Sequence, residues 1–247
     1  SVPISPSRQL KDVRYEIRGR LVRRALEMER QGYEILSLNI GNPGLFGFRT
    51  PETMRLAIIE NLGGSEAYCN QKGIFPAREA VVMQHQNRGI MDMTAEHVFI
   101  GNGVSELIDL TLRALLNPGD EVLIPSPDYP LWTAAANLSG GHPVHYLCDE
   151  AADWWPNIAD IRDKITARTR AIVLINPNNP TGAVYPPTVV KEILTIARQH
   201  GLVVFSDEIY DKILYDGTEH VSTGALAEDD QLVVTMNGLS KSYRCAG

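Results

Sequence analysis

Short apolar runs alternate with amphipathic segments along most of the chain, and this pattern predicts the order of strands and helices. Nearly all-apolar runs predict strands at 34–40, 97–100, 121–125, 143–148, 171–176, 202–207 and 231–235. Amphipathic segments predict helices at 8–31, from 50 onward, and at 76–89, 105–116, 130–138, 158–165 and 187–200. The first helix is predicted from apolar residues spaced by three and four, at Leu10, Val13, Ile17, Leu21, Ala25 and Met28.

The alternation of apolar strands and helices determines the predicted fold class. Strands with few polar residues are typical of a parallel sheet that is covered on both faces. We therefore predict a three-layer α/β/α fold with a mostly parallel sheet. The chain has no internal repeat, low-complexity tract or linker, so we expect one large domain at 41–247 behind an N-terminal arm and helix at 1–40.

Composition excludes several classes of protein. Lys plus Arg total 23 against 30 Asp plus Glu, a net charge of −7 without a basic block, so we expect no nucleic-acid binding. The three cysteines, Cys69, Cys148 and Cys245, lack C-x-x-C spacing, which indicates a reducing compartment and hence the cytoplasm. His142 and His145 would point to opposite faces of a strand, so we predict no metal site. No export signal is seen, and no apolar run approaches the roughly 18 residues of a membrane span.

Unusual polar stretches follow five of the predicted strands. They are "GNGVSE" after 97–100, "SPDYP" after 121–125, "NPNNPTG" at 176–182, "DEIY" after 202–206 and "SK" after 231–235. Ligands of parallel α/β sheets bind at the carboxyl ends of the strands. We therefore expect these five stretches to converge on one site.

The "GNGVSE" stretch predicts an anion site at the start of a helix. The free amides of Val104 and Ser105, with the Ser105 hydroxyl, are suited to hold a phosphate. A dinucleotide fingerprint fails, because Glu106 stands where its third glycine belongs and no acid ends the second strand. A purely structural glycine turn remains the alternative.

Three other strand-end stretches each leave two interpretations open. The "NPNNPTG" stretch is either a plain surface loop or a rigid platform behind a buried strand. Asp207 is either a helix N-cap or a buried carboxylate that faces a cation. Lys241 either lies in solvent or takes part in chemistry.

Together these motifs resemble a known family. The stretches "NPNNPTG", "SDEIY" and "LSKSYR", in this order and spacing, resemble the class I and II aminotransferases of the fold-type I pyridoxal phosphate enzymes. The resemblance begins at "LNIGNP" (38–43) and continues to the end of the chain. The segments "RYEIRGRLVRRALEME" and "ILSLNIGNPGLFGF" further resemble the bacterial alanine (glutamate–pyruvate) aminotransferases.

The resemblance implies pyridoxal 5'-phosphate as the cofactor and assigns catalytic roles. Lys241 is expected to form the Schiff base with the cofactor and to move a proton between the substrate α-carbon and the cofactor. Asp207 is expected to pair with the pyridinium nitrogen, which would explain its burial. Tyr210 and Asn179 are expected to donate hydrogen bonds to the phenolate oxygen of the ring.

The phosphate of the cofactor is expected to lie on a second set of residues. By resemblance, Gly103, Val104 and Ser105 bind it. Relatives often carry a further phosphate-binding serine where this chain has Gly238, so that contact would pass to Ser240 or to water.

The remaining residues carried over by resemblance contact the ring, the substrate or a partner. Tyr129 is expected to lie against the ring face. Gly41, with Asn179, is expected to bind substrate. Tyr68 aligns with a tyrosine that family members lend across a dimer interface, which implies a homodimer.

These implications lead to three hypotheses for function. The first is an aminotransferase that moves an amino group between an amino acid, most simply L-alanine, and 2-oxoglutarate. The second is a non-catalytic cofactor-binding fragment or regulatory domain, and the third is a carbon–sulfur lyase of the same family. Because the chain ends at Gly247, we expect it to lack the C-terminal part of the large domain and the small domain, which puts the activity of the isolated chain in question.

Overall fold

A computed structural model describes residues 4–14 and 19–246 of the chain. The helices in this range are α1 (Gly19–Arg30), α2 (Glu52–Asn61), α3 (Phe75–Gln86), α4 (Gly103–Leu115), α5 (Leu131–Leu138), α6 (Ile158–Lys164), α7 (Pro187–His200) and α8 (Thr223–Leu226). The strands are β1 (Glu121–Ser126), β2 (His142–Asp149), β3 (Trp155–Pro156), β4 (Thr169–Ile175), β5 (Val203–Asp207) and β6 (Val233–Met236). Short 3-10 turns lie at Arg8–Asp12, Pro43–Phe46, Leu62–Ser65, Ala95–His97 and Glu150–Ala152.

The strands form one six-stranded sheet in the order β3-β2-β1-β4-β5-β6. All neighbouring pairs are parallel except β2 with the two-residue strand β3. Parallel neighbours need crossover connections, and helices α5, α6, α7 and α8 lie in these connections. The mostly parallel sheet confirms the predicted fold class.

Two hydrophobic cores lie on opposite faces of the sheet, because successive strand residues point to opposite sides. On one face, Leu123 packs with α6 and α7 side chains such as Ile161 and Ile193. On the other face, Ile124 packs with α4 and α5 side chains such as Ile108. The helices on both faces complete the three layers, and strand residues such as these are fully buried.

The predicted strand at 34–40 is wrong. This segment is irregular, and its apolar side chains face solvent, with Leu36 exposed by 77% and Leu38 by 84%. An extended segment becomes a strand only when a neighbouring strand accepts its hydrogen bonds. The described sheet ends at β3 and β6, and neither edge pairs with this segment.

The predicted strand at 97–100 is also wrong. The Thr94 amide donates to the His97 ring nitrogen Nδ1 at 3.2 Å, and this capping contact closes Ala95–His97 into a 3-10 turn. Beyond it the chain is extended but lies outside the sheet, where the Ile100 amide donates to the Lys72 carbonyl at 2.8 Å. The capping residues therefore override the apolar pattern at the start of this segment.

The first predicted helix is confirmed only in its second half. Residues Arg8–Asp12 form a 3-10 turn, Val13 is extended, and α1 begins at Gly19. The predicted core position Ile17 lies outside the described residues. Helices α2 to α7 confirm the other predicted segments with small shifts at their ends, whereas β3 and α8 are too short to show a periodic pattern.

Candidate active site

Asp207 is a buried carboxylate at the carboxyl end of β5, in the middle of the sheet edge. It lies level with Ile175 of β4 and Met236 of β6, and only 2% of its surface is exposed. The Trp132 indole donates to its Oδ2 at 3.2 Å, and the Ile209 amide donates to its Oδ1 at 3.3 Å. Burial raises the pKa of Asp207 to about 6, although these two donors and the charge of Lys241 lower it. The carboxylate is therefore incompletely compensated and suited to face a cation.

Trp132 is a site residue that the sequence did not reveal. It lies in α5, is fully buried, and its ring is 5.6 Å from the Phe205 ring between centroids. A buried indole N–H needs an acceptor, and that acceptor is Asp207, 75 residues further along the chain. The one available signal was a tryptophan in an otherwise small and apolar helix directly after "SPDYP".

The raised pKa of Asp207 predicts a pH-dependent stability of the cofactor-free chain. The folded state binds this proton more tightly than the unfolded state, because burial raises the pKa from 3.8 to about 6. The resulting stabilisation is complete below the unfolded pKa and is lost as pH rises through the folded pKa. A shift of this size corresponds to about 3 kcal/mol in the free energy of unfolding.

The measurement is urea unfolding of the native chain and of Asp207→Asn across this pH range. As pH rises from the unfolded pKa to the folded pKa, we expect the free energy of unfolding of the native chain to fall by about 3 kcal/mol relative to that of the variant. Other carboxyl groups, such as Glu121, titrate alike in both proteins and cancel in the difference. A difference that does not change with pH contradicts the burial of an ionisable Asp207.

Tyr210 and Tyr129 lie near Asp207, as predicted for strand-end residues. Burial raises the pKa of the half-buried Tyr210, and the nearby Asp207 and Tyr129 raise it further. Tyr129 packs against the core that contains α4 and α5, and its carbonyl accepts from the Trp132 amide at 3.1 Å. Residues that follow β1 and β5 therefore meet in one place.

The "NPNNPTG" stretch forms a rigid platform rather than a loose surface loop. The buried Asn176 accepts from the Tyr185 amide at 2.9 Å through its Oδ1. The buried Asn178 accepts from the Thr181 amide and hydroxyl, at 3.1 and 2.9 Å, and donates to the Tyr185 hydroxyl at 3.2 Å. These two asparagines hold the loop, while the partly exposed Asn179 lies between the two prolines of its tip.

The glycine turn before α4 places backbone amides at the start of a helix. Gly103 has φ +76°, and the helix begins at Gly103 without a side-chain cap from Asn102. The amides of Val104 and Ser105 have no carbonyl four residues back within the helix, so they are available to an anion. The Glu106 carboxylate turns back and accepts from the Asn102 amide, a contact that the sequence did not reveal.

Lys241 lies in an exposed turn that follows β6. Its positive charge lowers the pKa of Asp207, so the two groups interact electrostatically across the strand ends. Ser240 beside it is partly buried, and Gly238 lies close to the segment after β5, where an added Cβ would approach Ile209 Cδ1 to 3.3 Å. A small residue at 238 therefore allows the two strand-end segments to approach.

Gly41 and Tyr68 are not part of this buried cluster. Both lie in exposed, irregular segments outside the sheet and its covering helices. An added Cβ at Gly41 would meet open space, and Tyr68 is fully exposed. The cluster as described thus contains residues that follow β1, β4, β5 and β6.

Metal-binding clusters and membrane-spanning helices are absent from residues 4–14 and 19–246. No group of three or more His, Cys, Asp and Glu side chains in these ranges is placed to hold a metal ion. His145 instead shares a hydrogen bond of 2.8 Å with the Thr133 hydroxyl, which also donates to Asp128. Each helix of the described ranges falls short of the length and apolarity that a membrane crossing needs.

Comparison with known proteins gives consistent matches. The sequence profile of the family "Aminotransferase class I and II" matches residues 33–247. The glutamate-pyruvate aminotransferase AlaA of Escherichia coli (strain K12) is 56% identical over 245 residues, which are 99% of this chain and 60% of that protein. An alanine aminotransferase of Mycobacterium tuberculosis (strain ATCC 25618 / H37Rv) is 53% identical over 98% of this chain and 56% of its own length. A solved alanine aminotransferase from Pyrococcus furiosus superposes with TM-score 0.91 at 43% identity, over 97% of this chain and 60% of that one.

Proposed function

Because this chain belongs to the class I and II aminotransferase family, we propose that it is the cofactor-binding part of an aminotransferase that acts on L-alanine and 2-oxoglutarate. The observation that carries the proposal is the buried Asp207 carboxylate, which interacts with the charge of Lys241 across the strand ends. We assign residues 41–247 to the domain that binds pyridoxal 5'-phosphate and residues 1–40 to an N-terminal arm and helix. The chain spans about 60% of the length of the E. coli relative.

The described residues fit pyridoxal phosphate at both ends. The buried Asp207 has two hydrogen-bond donors and a pKa of about 6, so a protonated ring nitrogen beside it would stabilise its charged form. The uncapped start of α4 offers the amides of Val104 and Ser105 to a phosphate. The donor set therefore matches a ligand that is cationic at one end and anionic at the other.

The chemistry divides between the cofactor and this chain. When bound, pyridoxal phosphate supplies an aldehyde that condenses with amines and a ring that accepts electrons from the substrate α-carbon. Lys241 would contribute the amine that holds the cofactor. Once a substrate amine has displaced this lysine, its free Nζ would take the proton from the substrate α-carbon. Asp207 keeps the ring nitrogen protonated, because a carboxylate in a buried site strongly favours a neighbouring positive charge.

The other proposed residues orient the cofactor and the substrate. Tyr210 and Asn179 would donate hydrogen bonds to the phenolate oxygen of the cofactor, and Tyr129 would pack against its ring. Tyr210 is half-buried near both Asp207 and Tyr129, which supports this arrangement. Gly103, together with Ser240, completes the phosphate contacts that Val104 and Ser105 begin.

Substrate and assembly are proposed from the resemblance and from the names of the relatives. Relatives at 56% and 53% identity are named glutamate-pyruvate aminotransferase and alanine aminotransferase, which supports alanine as the amino donor and 2-oxoglutarate as its acceptor. Gly41, with Asn179, is proposed to bind the substrate. Tyr68 is proposed to reach the phosphate of a second copy in a homodimer, in agreement with its full exposure in the single chain. We propose the cytoplasm as its location, on the grounds of cysteine usage.

Two other functions find less support. A non-catalytic regulator has no need of a buried carboxylate and an amine that interact across the strand ends. A carbon–sulfur lyase would share these motifs, but the relatives at 56% and 53% identity are named aminotransferases.

Borohydride reduction followed by peptide mapping tests the proposed function. Reduction makes the bond between cofactor and lysine permanent, so we expect the label on the peptide that contains Lys241. An unreduced sample of the same preparation is mixed with alanine, glutamate, aspartate and an aromatic amino acid, and the cofactor spectrum is followed in each half-reaction. A label on any other lysine contradicts the site, whereas a much faster reaction with aspartate contradicts only the substrate.

A further inference from the structure

A cluster of three charged side chains and one amide, which includes the buried Glu208 and Asp211, lies next to the proposed catalytic residues. It consists of Arg88, Glu208, Asp211 and Asn237, and we refer to it as the strand-end clamp. The Arg88 guanidinium pairs with the Asp211 carboxylate and lies 3.9 Å from Glu208 Oε2. Asn237 Nδ2 donates to Asp211 Oδ2 at 2.9 Å. Asp211 Oδ2 thus contacts side chains from two other parts of the chain, Arg88 and Asn237.

Each member of the clamp is fixed by the backbone around it. Arg88 lies in the turn after α3, where its amide donates to the His85 carbonyl at 2.9 Å. Asp211 lies in the turn after β5, where its amide donates to the Glu208 carbonyl at 3.0 Å, and it is only 6% exposed. Because Asp211 is buried, removing its partners would leave an unpaired charge in the protein interior.

The clamp joins the two segments that carry the proposed catalytic groups. The ladder between β5 and β6 continues to the Glu208 amide, which donates to the Met236 carbonyl at 2.8 Å. The next residue, Asn237, bonds to Asp211 and also accepts from the Gly238 amide at 2.7 Å through its Oδ1. Tyr210 directly precedes Asp211, and Lys241 follows three residues after Gly238.

We propose that Asp211 is a positioning residue that, through Asn237, fixes the Lys241 turn relative to the strand end carrying Asp207 and Tyr210. This inference rests on the proposed function, since it concerns the spacing of groups assigned to one cofactor. The Arg88 guanidinium pairs with the Asp211 Oδ2 atom that also accepts from Asn237, so it holds the carboxylate in place. Asp211, Arg88 and Asn237 are not among the residues assigned to the cofactor or the substrate, so their effect on chemistry would be exerted through the Lys241 turn.

The test compares Asn237→Ala with Glu121→Gln in the full chain. Glu121 is a matched control, because it is a buried carboxylate that accepts from Arg168 at 2.6 Å. It begins β1, so it lies at the edge of the sheet opposite the strand ends that carry Asp207 and Lys241. Hydrogen exchange of amides 238–241 is measured without cofactor, and the pyridoxal phosphate dissociation constant is measured by absorbance. We expect about tenfold faster exchange and about tenfold weaker cofactor binding in Asn237→Ala only.

A swapped pair separates positioning from simple loss of stability. Asn237→Asp alone places two carboxylates together, whereas Asn237→Asp with Asp211→Asn restores one donor and one acceptor across the same gap. We expect the double variant to recover exchange and affinity to within about threefold of the native chain. Native-like exchange in Asn237→Ala, or equal effects of Glu121→Gln, overturns the proposal. If the native chain forms no bond at Lys241, the proposed function fails, and the exchange result still decides whether the clamp holds the turn.

Discussion

Lys241→Ala is expected to reduce the transamination rate by at least about 10⁴-fold, because one side chain supplies both the amine that holds the cofactor and the base that moves the proton. The charge of Lys241 lowers the pKa of Asp207, and no other lysine of the described chain has this effect. The variant should still fold, since Lys241 lies in an exposed turn. The measurement is the single-turnover half-reaction with alanine in the full-length protein, alongside far-ultraviolet circular dichroism.

Lys212→Ala is the matched control for this prediction. Lys212 follows Asp211 directly and donates to the Tyr243 hydroxyl near the same turn, so it carries the same charge in a similar position. We expect its half-reaction rate to stay within about twofold of the native rate, since exposed ion contacts contribute little. A Lys241→Ala protein that transaminates at a rate near that of Lys212→Ala would remove Lys241 from the chemistry.

Asp207→Asn is expected to reduce the half-reaction rate by about 10³-fold, the size of effect seen when a preorganised electrostatic partner is removed. Asparagine keeps the shape of the side chain and can still accept from Trp132, but it cannot favour a positive charge on the ring nitrogen. The bond between the cofactor and Lys241 should still form. The rate of α-proton exchange from deuterated water into alanine isolates the affected step.

The stability of Asp207→Asn provides an internal check. Since burial raises the pKa of Asp207, we expect the cofactor-free variant to be at least as stable as the native chain at pH 7. Slow exchange of the alanine α-proton, together with an undiminished free energy of unfolding, therefore identifies an electrostatic role for Asp207. A variant that loses activity and unfolds would instead show that Asp207 is needed for folding.

The central strands were predictable because burial on both faces leaves an almost uninterrupted apolar pattern. The same pattern at 34–40 and 97–100 was misleading. Its local sequence is indistinguishable from that of a strand, yet pairing depends on a neighbour that the segment does not encode. In one case the side chains face solvent, and in the other Thr94 and His97 form a capped turn.

Site residues at the strand ends could be predicted from the sequence, whereas those contributed by helices could not. A buried carboxylate was one of two interpretations that the sequence left open for Asp207 at the end of an apolar strand, and the structure confirms the burial. Trp132 was missed because its contact with Asp207 spans 75 residues. The Asp211–Asn237 bond was missed for the same reason, since two ordinary polar residues reveal nothing about their partner. The roles assigned to the other site residues remain predictions.

The parallel order of the sheet has a consequence for how the protein matures in the cell. A crossover connection separates each pair of neighbouring long strands. Strand β1 pairs with β4 as well as with β2, the next strand in sequence. Such non-local pairing slows folding. Asp207 ends β5 and Lys241 follows β6, so the two groups come together only once these strands have paired. A ligand that binds both groups should therefore bind only after the sheet has formed, and it should stabilise the folded chain.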